Sequence, residues 1–233
     1  MKKFQWTRKP DFRNVKNLDY DLYWKQRGFL FNSKLKEREN IILNNIGPRS
    51  KVLDIGCGNS RLALELKHKN CDIHVADISK VVLNEYNKNG ISTHQIDLAS
   101  LNFADINNEY WDVIILSEVL EHTPNPEEII DQLRSITDKM IITIPNSAFY
   151  KFRFHLMFKG RFFTQWISHP SEHLRFWSHL DFLDWLNALN LEVDHFQASN
   201  GFRYYKNTLP NLFGFQMVYF CSTKNQMLNA KAN

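Results

Sequence analysis

The sequence predicts an α/β fold, a doubly wound and mostly parallel sheet of seven strands within one domain. Short runs rich in Val, Ile and Leu alternate with helical stretches between residues 51 and 145, a spacing that requires helices to cross over a parallel sheet. The first run, Lys51-Val-Leu-Asp-Ile55, passes directly into a glycine turn, Gly56-Cys-Gly58, and then into a helix. Asp54, Asp77 and Asp97 fall at the ends of three successive runs, which gathers acids where ligands of open α/β sheets bind.

Each element has a local reason. Residues 1–38 hold eleven Lys and Arg against four Asp and Glu, together with aromatics from Phe4 and Trp6 to Phe29 and Phe31. Within them Asp19 to Arg27 reads as a short helix. Two readings of this arm stand: aromatics docked on the core with a solvated backbone, or a lid in which Trp24 or Arg27 touches a bound ligand. Residues 33–46 form an amphipathic helix with Leu35, Ile41, Ile42 and Ile46 on its apolar side, ended by Gly47-Pro48. Strand 1 covers 51–55. Asn59 or Ser60 caps the helix of 60–69. Strand 2 covers 72–77, Ser79 caps the next helix, and Asn89-Gly90 closes it. Strand 3 covers 91–97, strand 4 covers 112–117, a helix covers 127–136, and strand 5 covers 139–144 before Pro145. Residues 146–180 break the alternation with ten Phe, Tyr and Trp, four His and a surplus of Lys and Arg; they read as an insertion over the carboxyl ends of the strands. A helix over 181–190, strand 6 over 191–197, a loop over 199–212 and an antiparallel strand at the sheet's inner edge over 215–221 complete the chain, followed by a polar tail.

Composition narrows the function. The chain has 233 residues, 43% hydrophobic and 14% aromatic, enough for a full core and unlike a disordered chain. Three dispersed cysteines, Cys57, Cys71 and Cys221, oppose a disulfide framework or a zinc cluster of thiolates and fit a reducing cytoplasm. No apolar run is long enough to span a bilayer, and the basic N-terminus has no apolar signal core. A net charge of +4 is too small to argue for nucleic acid on its own.

The glycine turn departs from the dinucleotide fingerprint. Its third glycine position is Arg61, whose side chain would crowd a pyrophosphate. Three strand-end acids suit instead a nucleoside with no phosphates and a positive centre, one acid for an amino group, one for the ribose diol and one for the adenine amine. Val52-Leu-Asp-Ile-Gly-Cys-Gly58 with Asp77 and Asp97 resembles the binding motifs of class I S-adenosylmethionine-dependent methyltransferases over residues 50–197. The resemblance implies a Rossmann-like sheet with Asp54, Gly56, Cys57 and Gly58 along the methionine part, Asp77 and Ile78 at the ribose, Asp97 and Leu98 at adenine, and Ser117 and Glu118 at the sulfonium end. Cys57 reads as a small filler. The chain then divides into a 1–50 extension, a 51–145 cofactor-binding core, a 146–190 acceptor-side cap and 191–223 C-terminal strands.

After strand 4, Glu118, Glu121 and His122 would share one face if they form a helical turn. With His173 as a fourth ligand they suit a hard or borderline divalent ion, magnesium, manganese or zinc. The pattern is similar to the Glu-x-x-Glu-His of ubiquinone-pathway and small-RNA 2′-O-methyltransferases, where the ion is implied to bind acceptor oxygens. Without a metal, His122 or His173 is the candidate general base, oriented by Glu118 or Glu121. Thr143-Ile-Pro-Asn146, Gly160-Arg-Phe-Phe163 and His173-Leu-Arg-Phe-Trp177 resemble MetW-type methyltransferases and those of bacterial capsule loci that make O-methyl phosphoramidate groups. This implies O-methylation of a small polar acceptor, a sugar hydroxyl or a phosphoryl oxygen, in capsule or cell-surface polysaccharide synthesis. Arg153, Arg161 and Arg175 either pair with an anionic acceptor or lie solvated on the aromatic cluster. An RNA-directed 2′-O-methyltransferase and a catalytically silent cofactor-binding partner subunit are the competing classes. Oligomeric state is left open.

Overall fold

The computed structural model describes residues 19–163 and 173–223. Tyr20–Arg27 (α1) and Glu37–Asn45 (α2) precede the sheet. Then come Lys51–Ile55 (β1), Leu62–His68 (α3), Asp72–Asp77 (β2), Lys80–Lys88 (α4), Ser92–Gln95 (β3), Val113–Ser117 (β4), Pro126–Leu133 (α5) and Lys139–Pro145 (β5). Tyr150–Lys159 (α6), His179–Ala188 (α7), Leu191–Gly201 (β6), Pro210–Phe213 (α8) and Gly214–Thr223 (β7) follow. The strand order is β3-β2-β1-β4-β5-β7-β6, parallel from β3 to β5. β7 is antiparallel to both β5 and β6, so it fills an interior position of the sheet.

The strands carry apolar residues in both directions because both faces are covered. Leu53, Ile55, Ile114, Leu116 and Tyr219 pack on one side with α5 and α7 through Ile129, Ile130, Leu133, Phe182 and Leu186. Val52, Val75, Ile115, Ile141 and Val218 face the other side with α2, α3 and α4 through Ile42, Leu66, Val82 and Tyr86. The chain reverses its direction of winding between β1 and β4, which opens a crevice at their carboxyl ends. The glycine turn follows β1 and Glu118 follows β4, so both border it. Among the described residues no helix is long and apolar enough to cross a membrane.

Several expectations are corrected. β3 ends at Gln95, two residues short of Asp97. The chain turns there, with Ala99 N bonded to Asp97 Oδ1 at 2.9 Å and Ser100 N to Asp97 O at 3.1 Å, so Asp97 is an exposed turn residue instead of a strand end. The helix expected from residue 33 begins at Glu37, and its capping box pairs Lys36 N with Glu39 Oε2 at 2.7 Å. Residues 150–159 of the expected 146–180 insertion are helical, and β6, expected over 191–197, runs on to Gly201. Phe4, Trp6, Phe12, Trp166, His169 and the tail after Thr223 lie outside the described residues.

Candidate functional site

The glycine turn is held from three directions. Gly56, at φ +70°, donates its N–H to Ala76 O at 2.7 Å. A Cβ there would meet Val119 Cγ2 at 2.3 Å, so only glycine fits between β1 and the chain leaving β4. Gly58 N bonds Asp77 Oδ2 at 3.0 Å, and Ser79 N bonds Asp77 Oδ1 at 2.9 Å. Asp77 therefore shapes the turn with one strong bond to each oxygen, and a carboxylate has room for further donors. The N-cap of α3 is Arg61, with no side-chain cap bond, instead of the expected Asn59 or Ser60; Ser60 Oγ accepts from Leu62 N at 3.0 Å just ahead of it. Cys57 is buried, and burial with Asp77 and Asp54 nearby pushes its thiol well up. It is the inert filler its sequence context indicates.

Three acids crowd behind this turn. Glu39, Asp54 and Asp77 are all buried. Burial, then Glu39 and Asp77, raises the Asp54 carboxyl to about 8. Burial likewise raises Asp77, against its backbone hydrogen bonds. Acids pressed together, with Arg38 offsetting the rise of Asp54 only in part, make a site for a positive ligand. Glu39 was not expected from sequence. Its signal is positional: it lies three and seven residues before Ile42 and Ile46, on the apolar stripe of α2, and it accepts from Ser60 Oγ at 3.0 Å.

α1 lies across this site. Its Asp19 N-cap accepts from Leu22 N at 2.9 Å. Asp21 accepts from Ser79 Oγ at 2.6 Å, a bond that lowers its carboxyl pKa. Trp24 lies over Gly58, its Cζ2 3.7 Å from where a Cβ would be. Asn32 N reaches Asn59 O at 3.0 Å and Asn59 Nδ2 reaches Leu30 O at 3.0 Å. Of the two arm residues expected near a ligand, Trp24 lies at the glycine turn, while Arg27 lies over the Tyr23 ring at 4.1 Å. Ile78 and Asp97 are exposed, and Leu98 is half-buried against the core.

On the other side of the crevice, Ser117 Oγ is 3.1 Å from Thr143 Oγ1 and accepts from Arg38 Nε at 3.3 Å. Arg38 is a second residue that the sequence did not single out, since a cation on an amphipathic helix carries no distinguishing signal. Lys36 lies near it; desolvation and then Arg38 lower its ammonium pKa. Glu118 takes φ +58°, and only Leu120–His122 forms a 3₁₀ turn. The expected common face of Glu118, Glu121 and His122 is thereby broken. Glu118 turns to Gln216, whose Nε2 donates to Oε2 at 2.6 Å, and to Thr143 Oγ1 at 3.5 Å.

Glu121, His122 and His173 do converge, with one ligand atom from each within 4.8 Å of the others. The cap supplies His173 because Leu174 N and Arg175 N both bond the Glu121 carbonyl, at 2.7 and 3.2 Å. The imidazoles of His122 and His173 meet edge to face at 4.6 Å. Glu121 is 1% exposed and neither of its carboxylate oxygens has a hydrogen-bond partner; His173 Nδ1 is also buried and unpaired. Burial, then Glu118, pushes the Glu121 carboxyl well up, and burial, then His122, lowers His173 to about 3. A buried carboxylate without a hydrogen-bond partner, 4.0 Å from His122 Nε2 and beside an imidazole that burial keeps neutral, is a donor set that could hold a metal ion. Of the expected arginines, Arg153 donates to the carbonyls of Ala148 and Asn211 and Arg175 to that of Pro124 at 2.6 Å; Arg161 is exposed.

Comparison with known proteins gives the site a setting. The family model of methionine biosynthesis protein MetW matches residues 36–221. The chain is 26% identical over 193 residues to the bifunctional methionine biosynthesis protein MetXA/MetW of Rhodopirellula baltica, covering 75% of this chain and 30% of that protein. It is 30% identical over 99 residues to ubiquinone biosynthesis O-methyltransferase of Aliivibrio fischeri, covering 40% of this chain and 42% of that one. The chain thus spans less than half the length of these curated relatives. Among solved structures it resembles the small RNA methyltransferase HEN1, with a TM-score of 0.62 and 19% identity over 84% of this chain and 26% of that chain. It also resembles magnesium protoporphyrin IX methyltransferase of Synechocystis PCC 6803 with bound SAH, with a TM-score of 0.61 and 14% identity over 88% and 98% of the two chains. These likenesses establish the fold as that of class I methyltransferases.

Proposed function

Because the chain belongs to the family of methionine biosynthesis protein MetW, we propose that it transfers a methyl group from S-adenosylmethionine to an oxygen of a small polar acceptor, with a divalent ion at Glu121, His122 and His173. The Glu121 carboxylate carries this reading: it is fully buried with neither oxygen hydrogen-bonded, and two imidazoles stand within ligand distance. One carboxylate with two imidazoles favours zinc or manganese over magnesium. Such an ion would polarise the acceptor hydroxyl and lower its pKa.

The donor supplies a methyl group that is already activated, so this chain's residues act by positioning. Asp54, with Glu39 behind it, receives the ammonium of the methionyl part. Arg38 meets the methionyl carboxylate from the Ser117 side. Asp77 takes the ribose diol while holding the glycine turn, and Asp97 and Leu98 border the adenine. Ser117 and Glu118 flank the sulfonium, Glu118 aimed by Gln216. The acceptor is a sugar hydroxyl or a phosphoryl oxygen of capsule or cell-surface polysaccharide synthesis; what supports this is the likeness of Thr143–Asn146, Gly160–Phe163 and His173–Trp177 to the capsule-locus enzymes. With Arg153 and Arg175 bonded to protein carbonyls, an anionic acceptor group would meet Lys36 beside Arg38. The RNA-directed alternative rests on the basic aromatic N-terminus, which lies largely outside the described residues.

Metal analysis of the purified full chain tests the reading. We expect bound zinc or manganese, lost in Glu121→Gln and His173→Ala, while calorimetry shows demethylated cofactor still binding to both variants and failing to bind Asp77→Ala. Undiminished methyl transfer in strong chelator would remove the ion and leave His122 or His173 as base. Cofactor binding with no turnover on any acceptor would identify a silent partner subunit.

A further inference from the structure

α6 is inverted with respect to solvent. With about 100° between successive residues, Phe152 and His155 share the inner side and are buried. Tyr150, Phe154, Met157 and Phe158 occupy the outer side, where Phe158 is 71% exposed and Phe162, just beyond the helix, is 80% exposed. The rings run in a ridge, Tyr150 to Phe154 at 6.4 Å and Phe154 to Phe158 at 5.9 Å. At its other end Tyr150 meets Phe202 at 6.4 Å, joining the ridge to the stretch between β6 and α8, where Tyr204 is also exposed. A helix apolar on its solvent side has a face that something covers.

Charge identifies the cover. Residues 146–163 and 195–213 contain no Asp or Glu. Lys151, Lys159, Arg161 and Arg203 border the aromatics and are exposed, with Lys151 over the Tyr150 ring at 5.8 Å and Arg203 over Tyr204 at 5.9 Å. The N-terminal 18 residues carry six Lys and Arg to one Asp, the same sign of charge as this patch. A second copy presenting the same patch across a two-fold axis would meet its own sign. An exposed ridge of Phe, Met and Tyr framed by long cations suits a headgroup layer, where rings enter the acyl boundary and Lys and Arg reach the phosphates.

We propose that the outer face of α6, with Phe162 and the stretch from Phe202 to Tyr205, is a docking surface for an anionic lipid bilayer, on which the protein lies without crossing it. The α6 part of the surface lies within the 146–190 cap, and the proposal is independent of the methyl-transfer reading. Flotation of the full chain tests it, with vesicles of roughly 7:3 phosphatidylcholine to phosphatidylglycerol against phosphatidylcholine alone. The protein floats with the anionic vesicles only, and salt at about 0.5 M releases it. Phe158→Ser with Phe162→Ser, and separately Lys159→Glu with Arg161→Glu, lower the partition coefficient roughly tenfold or more. Melting temperature and demethylated-cofactor affinity stay unchanged, because these side chains are exposed. Equal partition onto both vesicles, or onto neither, overturns the proposal. So does a protein complex on size exclusion that the same substitutions dissolve, which would assign the face to a protein partner.

Discussion

Asp54 shows what the candidate site demands of one side chain. Its carboxyl, ordinarily near 3.8, is raised to about 8 by burial and by Glu39 and Asp77. Between those values the folded chain holds a proton that the unfolded chain has released, so stability falls as pH rises from about 4 to about 8. Asp54→Asn mimics the protonated acid. We expect it to raise the melting temperature of the ligand-free protein at pH 8, through a contribution on the order of a few kcal/mol, with little change near pH 4. Calorimetry should show its cofactor affinity down at least tenfold. If the variant melts lower than the parent at pH 8, the acid is not under that stress. His179 acts at the opposite end of the scale. Burial lowers it to about 4, so the unfolded chain takes up its proton first as pH falls, and stability drops between about 6.5 and about 4.

At the scale of elements, the glycine turn and the segment after β4 behave as one joint, because Val119 occupies the space a Cβ at position 56 would need. Gly56→Ala is strained both by that contact and by φ +70°, and should cost about 1–3 kcal/mol and lose cofactor binding. Adding Val119→Ala should restore part of the stability by making room and leave the part due to φ. Recovery of everything, or of nothing, in denaturant titrations would contradict this division. The sheet was legible for a related reason: β1 and β2 sit at their expected bounds because both have buried faces and clear stops. α6 was not legible as a helix, since apolar residues on every side erase the 3.6-residue rhythm that marks one. The Glu118 turn was hidden as well. Helical spacing assumes helical backbone, and a positive φ at a glutamate leaves no mark in sequence.

For the whole molecule, the consequential fact is that β7, the last strand among the described residues, lies inside the sheet. β7 pairs with β5 over Lys139–Pro145 and with β6 over most of its length, and it buries Met217, Val218 and Tyr219 completely. A chain ending at Phe213 lacks the strand that joins β6 to the rest, and we expect it to show no cooperative melting transition and to bind hydrophobic dye. A folded truncation by circular dichroism melting would show that β3 to β5 is self-sufficient. Such late, non-local pairing predicts slow folding for the size of the domain. The candidate site was legible in proportion to how local it is. Asp54, the glycines and Asp77 lie within a single stretch of chain. Arg38 and Gln216 act across 79 and 98 residues, and only the folded sheet brings them to Ser117 and Glu118.

The bonds that tie α1 and its following segment to the donor side, Asp21 to Ser79 and Asn32 to Asn59, have a kinetic consequence. On the proposed reading, a spent cofactor seated behind Trp24 would leave by the route that the arm crosses, and the arm would part from Ser79 and Asn59 in each cycle. If that parting is the slow step, the first equivalent of methylated product should form in a burst ahead of the steady state, which rapid-quench assays would read. Asp21→Asn, which weakens the latch, should speed the steady state while raising the dissociation constant of the spent cofactor.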